Sequence, residues 1–204
     1  MNALRHIPTA RLEAFSDGVI AIIITVMVFD LKLPEITPGS TVGYELSKLA
    51  PRFISYTVSF LMLSIMWVSH HQLFHPIKRA DGKLLWFSIH HLFWMSTVPF
   101  GTSFLGANLS LWQTAFGYSM IFFMIALSFT MLRNYALKCN LLHDHIDKQV
   151  HIRIQIKNQA ALLIYLVAAG TSIFFVYLSL ALFLVVPTLY FITEKISHIN
   201  AITP

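Results

Sequence analysis

The stretch RLEAFSDGVIAIIITVMVFD, residues 11–30, decides how the rest of the chain is read. Three charged side chains, Arg11, Glu13 and Asp17, come first together with the hydroxyl of Ser16. An apolar run from Val19 to Phe29 follows, interrupted only by Thr25. About 20 residues of helix, rising 1.5 Å each, cross the roughly 30 Å hydrocarbon core of a bilayer. A first spanning helix is therefore predicted over about Ala10 to Lys32. Asp17 then lies at least a turn inside the membrane. An ionisable group at that depth is costly and normally faces a bundle interior with a partner.

The composition agrees with that reading. Of 204 residues, 56% are hydrophobic and only 11% charged, and the mean hydropathy is +0.68. A soluble domain carries about a quarter charged residues, so much of this apolar surface must face lipid. The fold class expected is all-α, a polytopic membrane protein without a separate soluble domain. Further apolar runs place spans at about Pro51–Phe74, Leu84–Leu105 and Leu111–Leu137. Residues Gln159–Thr193 form a charge-free stretch of 35, which as one helix would exceed about 50 Å. It is read as a hairpin of two spans, about 159–177 and 180–193, turning near Tyr177–Leu180. The total is six spans in one domain.

Charge sets the orientation. With six spans, one side collects eleven basic residues, among them Arg5, Arg11, Lys78, Arg79, Lys83, Arg133, Lys157 and Lys195. The other side has three, Lys32, Lys48 and Arg52. The excess assigns both termini to the cytoplasm of a cell-membrane protein. The net charge of +5 is thus orientation charge, and nucleic acid is not an expected partner. Between Glu35 and Ala50, Pro38-Gly39-Ser40 reads as a turn and Thr41–Leu49 as a short interfacial helix. The single Cys139 excludes an internal disulfide framework and a cysteine metal cage. The first apolar run is too long for a cleavable signal peptide and has no small-residue cleavage site after it.

Arg11-x-x-x-Phe15-Ser16-Asp17 at the start of the first span resembles the RxxxFSD signature of the transmembrane protein 175 family, potassium channels of lysosomes, bacteria and archaea. The chain also resembles the prokaryotic members in length and span number. In those members one copy of the six-span unit assembles as a tetramer, whereas animal proteins carry two copies in one chain. Nothing in the second half of this sequence repeats the motif, so the resemblance implies a homotetramer around a central pore. It further implies that the first helix lines the pore. The narrowest ring would be made by Ile22, five residues after Asp17, with Thr25 contributing to potassium selectivity and Val26 and Phe29 forming further hydrophobic rings. The residues agree: Ile22, Val26 and Phe29 follow i, i+4, i+7, one stripe of a helix, with Thr25 beside it. Such a gate works by apolar closure and dewetting. The chain has no Thr-Val-Gly-Tyr-Gly filter. An aliphatic stripe is also ordinary helix packing, and the preceding motif is what favours the pore.

Ten histidines offer another chemistry. His70, His71 and His75 fall on the second span, His90 and His91 on the third. His71 and His75, four apart, are spaced to share a metal; hydrogen bonding between helices is the favoured role. Arg11, Phe15, Ser16, Asp17, Trp67 and His70 are expected to form one network, with His71 and His90 as further partners. Glu13 is assigned to the headgroups, and Asp30 and Glu35 to a solvated loop. His143, Asp144, His145, Asp147 and His151 read as a solvated polar loop, and Asn108, Asn158 and Gln159 as caps or links. A potassium-selective channel without cofactor, metal site or catalytic residues is the favoured function, its permeant ion K+. A secondary cation transporter would need discontinuous helices and usually a repeat. A histidine-metal membrane enzyme would need several more HxxxH blocks.

Overall fold

Why these apolar runs become helices follows from the solvent they face. In hydrocarbon every backbone N–H and C=O must be satisfied within the segment, which a helix achieves alone. The computed structural model describes residues 8–32, 39–139, 141 and 148–202, and it is all-helical there. Helix α1 covers Thr9–Val26 and continues as a 3₁₀ turn over Met27–Asp30. The others are α2 Val42–Ser47, α3 Ala50–Phe74, α4 Gly82–Ser96, α5 Val98–Ala107, α6 Trp112–Lys138, α7 Lys148–Ser172 and α8 Val176–Ile202. Among the described residues, Thr9–Asp30, Ala50–Phe74 and Trp112–Lys138 are long and apolar enough to cross a membrane, with mean hydropathies of 2.0, 1.4 and 1.8.

Two expectations from sequence need correction. The run 84–105 is two helices, because Pro99 enters the first turn of α5 and the chain breaks at Thr97. A proline there has no N–H to continue the ladder of α4. The hairpin turn lies at residues 173–175 and not at Tyr177–Leu180, so the helices are Lys148–Ser172 and Val176–Ile202 in place of 159–177 and 180–193. Hydroxyls close this turn. Thr171 Oγ1 and Ser172 Oγ donate to Val167 O and Ala169 O, and Ser179 Oγ reaches back across it to Ala168 O at 2.7 Å. Of the carbonyls freed at the end of α7, Ala169 O accepts from Ser172 Oγ and Thr171 O from the backbone N–H groups of Phe174 and Phe175, without a glycine cap. The short interfacial helix appears as α2. Its entry uses Gly39 at φ 91°, a left-handed backbone that glycine adopts without strain, and Thr41 caps it.

Packing joins α1 to α3, α4 and α5, and pairs α6 with α7 and α7 with α8. One apolar core runs through Ile20, Ile23, Met62, Met95, Phe122, Tyr165 and Phe183. A second, at the end of α1 nearer the N-terminus, contains Leu12, Phe74, Leu84 and Leu132. Between lipid-like surfaces apolar burial discriminates little, so hydroxyls fix register. Thr102 Oγ1 of α5 donates to Ser59 Oγ of α3 at 2.7 Å, and Ser59 Oγ lies 2.8 Å from the Tyr118 hydroxyl of α6. Gly106 permits close approach, for a Cβ there would stand 3.0 Å from the Arg52 Cα.

Candidate functional site

On α1 the periodicity of 3.6 separates two faces. Leu12, Ser16, Ile20, Ile23 and Met27 are buried against the rest of the chain. Phe15, Ile22, Val26 and Phe29 are exposed, at 54%, 62%, 42% and 75%, and Thr25 is exposed beside them. Ile23, one residue on from Ile22, is only 6% exposed. The 3₁₀ turn sharpens this stripe. With three residues per turn, positions i and i+3 eclipse, which draws Phe29 towards the line of Val26. Thr25 Oγ1 donates to both Ala21 O and Ile22 O at 3.0 Å. Its proton is used within the helix, and its lone pairs remain on the exposed face.

The opposite face is tied down at both ends. Trp67 Nε1 of α3 donates to Asp17 Oδ1 at 2.9 Å. Ser16 Oγ donates to Leu12 O and lies 3.3 Å from Ser88 Oγ of α4. Glu13, read as a headgroup charge, instead meets His71 Nδ1 at 3.1 Å. Asp30, read as a solvated loop charge, accepts a 2.7 Å hydrogen bond from Ser103 Oγ of α5. Neither Ser88 nor Ser103 was legible as a partner, since a lone serine on an apolar run carries no register.

Not every expected member joins the network. Arg11 and Phe15 are exposed and make no side-chain hydrogen bond or ring contact with the described residues. Phe15 instead lies on the stripe, seven residues before Ile22. His70 is fully buried, stacked on Phe74 at 4.3 Å and parallel to His91 at 6.1 Å, and neither ring nitrogen has a hydrogen-bond partner among the described residues. The reason is helical phase: Trp67 and His71 share the edge of α3 that meets α1, while His70 falls among Met66, Leu73 and Phe74. His91 Nδ1 pairs with Ser128 Oγ of α6 at 2.9 Å, and His90 Nε2 accepts from Trp94 within α4. The His71 and His75 rings are 6.1 Å apart, and among the described residues no three metal-ligating side chains cluster. Asn158 links α7 to α6 by donating to Thr130 Oγ1, and Asn108 Nδ2 donates to Phe104 O at the end of α5. Glu35, His143, Asp144, His145 and Asp147 lie outside the described residues, as does the His151 side chain.

Fold and site together define an α-helical membrane protein whose first helix is pinned on one face and open on the other. Residues 11–99 match the family model described as the endosomal/lysosomal potassium channel TMEM175. A potassium channel of Chryseobacterium sp. (strain P1-3) is 35% identical over 185 residues, 91% of this chain and 93% of that protein. The chain belongs to the TMEM175 family. The crystal structure of a homolog, from Chamaesiphon minutus, of the lysosomal potassium-selective channel TMEM175 superposes with a TM-score of 0.76 at 30% identity, covering 91% of this chain and 97% of that one. The endosomal/lysosomal proton channel TMEM175 of Homo sapiens is 36% identical over 83 residues, 36% of this chain and 16% of that protein.

Proposed function

We propose that the chain forms a homotetrameric, potassium-selective channel of the cell membrane, with six spans per subunit and both termini cytoplasmic. The helices α1, α3, α4 with α5, α6, α7 and α8 supply the spans. Four copies of α1 surround the pore, and K+ passes through it without a cofactor. The observation that carries this reading is the exposed stripe of Ile22, Thr25, Val26 and Phe29 on a helix whose other face is fixed to α3, α4 and α5.

One such helix cannot enclose a path, but four around an axis can. Ile22 makes the narrowest ring, and apolar side chains there offer an ion nothing in place of its water, so closure works by dewetting. Opening requires the ring to widen enough to hold water. The Thr25 oxygens, one turn further, face the ions with lone pairs and discriminate potassium from sodium. Val26 and Phe29 form further apolar rings. No carbonyl cage is involved. The ties from Asp17 to Trp67 and from Asp30 to Ser103 hold each α1 at a fixed rotation, so that the same face meets the axis in all four subunits.

Potassium is favoured over protons because the relatives matched along most of this chain carry the name potassium channel, as in Chryseobacterium and Chamaesiphon minutus. The proton-channel names belong to animal proteins matched over less than half of the chain. Native mass of the purified protein tests the assembly. A tetramer is expected, and a conducting monomer or dimer would remove the pore.

A further inference from the structure

Midway along α4 a polar side chain stands on an outward face. Trp86, His90 and Phe93 follow i, i+4, i+7 and are all exposed, on the side away from the buried Leu84, Ser88, His91 and Met95. His90 Nε2 accepts from Trp94 Nε1 at 3.0 Å, so the ring is neutral and carries its proton on Nδ1. Among the described residues that N–H has no acceptor. Facing lipid it would stay unpaired, which is costly. Asp17 is the complement. Its Oδ1 accepts from Trp67, and its Oδ2 has no partner among the described residues. Asp17 is half-buried and Trp67 exposed, so the carboxylate sits at the open edge of the α1–α3 contact.

The two groups lie at one depth. Helices α1 and α4 both run inward from the end where Leu12 and Leu84 share a core. Ser16 Oγ lies 3.3 Å from Ser88 Oγ, which sets those residues level. Asp17 is one residue further in and His90 two, a difference of about 1.5 Å. Rotation about α1 sets the sides. At about 100° per residue, Ser16 towards α4, Asp17 towards α3 and Ile22 towards the axis are separated by about 100°, 140° and 120°. With the Ile22 stripe on a central axis, α3 and α4 therefore flank α1 on opposite sides. In a cyclic assembly unlike faces meet, so the α4 side of one subunit meets the α3 side of the next.

We infer that the exposed face of α4 is where a second copy of this chain packs, its α1–α3 edge placed so that His90 Nδ1 donates to the Asp17 carboxylate of that copy. This rests on the tetramer proposed above and adds which faces meet. The bond pairs both orphaned groups. It also ties α1 of each subunit to its neighbour at the residue that already holds it to α3.

Cysteine cross-linking between subunits, in a Cys139→Ser background, tests this. Phe60 stands fourteen residues before Phe74 on α3, and Ser96 fourteen after Gly82 on α4; Ser64 and Phe93 stand ten and eleven. Each pair is thus nearly level, and none of the four belongs to the Asp17–His90 bond. Phe60→Cys subunits co-assembled with Ser96→Cys subunits, or Ser64→Cys with Phe93→Cys, should give a covalent mixed dimer on oxidation. Each variant alone should give none. Leu163→Cys, exposed on α7, should give none with Ser96→Cys. His90→Phe, which keeps a ring without a donor, should weaken each interface about fivefold in tetramer dissociation. His90→Gln should recover part of that loss, and His90→Phe should add nothing to Asp17→Ala. Tetramers without a mixed cross-link at either pair, cross-links within one variant alone, or a His90→Phe tetramer as stable as wild type would overturn this inference and leave the channel standing. Mixed cross-links in tetramers that carry no current sink the channel alone, and a monomeric native mass sinks both.

Discussion

Asparagine at position 22 and at position 23 should produce opposite phenotypes, although the residues are neighbours of one type. Ile23 is 6% exposed within the subunit and belongs to the core with Ile20 and Met62. Replacing it with asparagine removes packed methyl groups and buries an amide with no partner. Those losses are worth about 1 kcal/mol or more for packing and about 1–3 kcal/mol for the orphaned amide, together about 2–5 kcal/mol. At about 2–4 °C per kcal/mol for a chain of this size, the temperature at which half the protein stays monodisperse in detergent should fall by roughly 4–20 °C. Ile22 is 62% exposed, so Ile22→Asn leaves the subunit core intact, and the midpoint should move by no more than about 3 °C. In planar bilayers it should raise conductance and weaken discrimination between potassium and sodium, since four amides now hold water in the narrow ring. If both variants destabilise alike, or give the same currents, the pore face has been assigned to the wrong side of α1.

Three further outcomes are expected. Asp17→Ala and Trp67→Phe should each lower the melting midpoint, and the double variant should be no worse than the poorer single, with a coupling of about 1–2 kcal/mol; strict additivity would mean that the 2.9 Å contact does not hold α1. Thr25→Val keeps the shape of the side chain but removes the exposed lone pairs, so the potassium-to-sodium permeability ratio should drop with little change in open probability, as bi-ionic recordings would register. Gly106→Ala should destabilise by about 1–3 kcal/mol in the same melting assay, because its Cβ would stand 3.0 Å from backbone of Arg52.

Long apolar runs made α1, α3 and α6 legible from sequence, because lipid leaves an apolar segment of about 20 residues no other structure. The break at Thr97 was signalled by Pro99, whose effect is lost when the run 84–105 is read by hydropathy alone. At the hairpin the signal was Thr171-Ser172, three hydroxyl-driven bonds that a search for glycine or proline passes over. Asp17 and Trp67 can be paired from sequence, since a carboxylate inside the first span and an indole N–H in the same half of the bundle have few other choices. The bonds from Ser16 to Ser88, His91 to Ser128 and Asp30 to Ser103 depend on the rotation of each helix, which the sequence does not state. His70 was misassigned for that reason: one position round α3 from His71, it leaves the α1 contact and enters the core.

The account stands or falls on conduction. Purified wild-type protein should be reconstituted in a planar bilayer with potassium chloride on one side and an equal concentration of sodium chloride on the other, at equal pH. Unitary currents that reverse well away from 0 mV, with the sign that potassium flux requires, are the predicted result. Currents reversing at 0 mV, a reversal that follows an imposed pH difference instead, or no unitary events from intact tetramers would contradict a potassium-selective pore lined by α1.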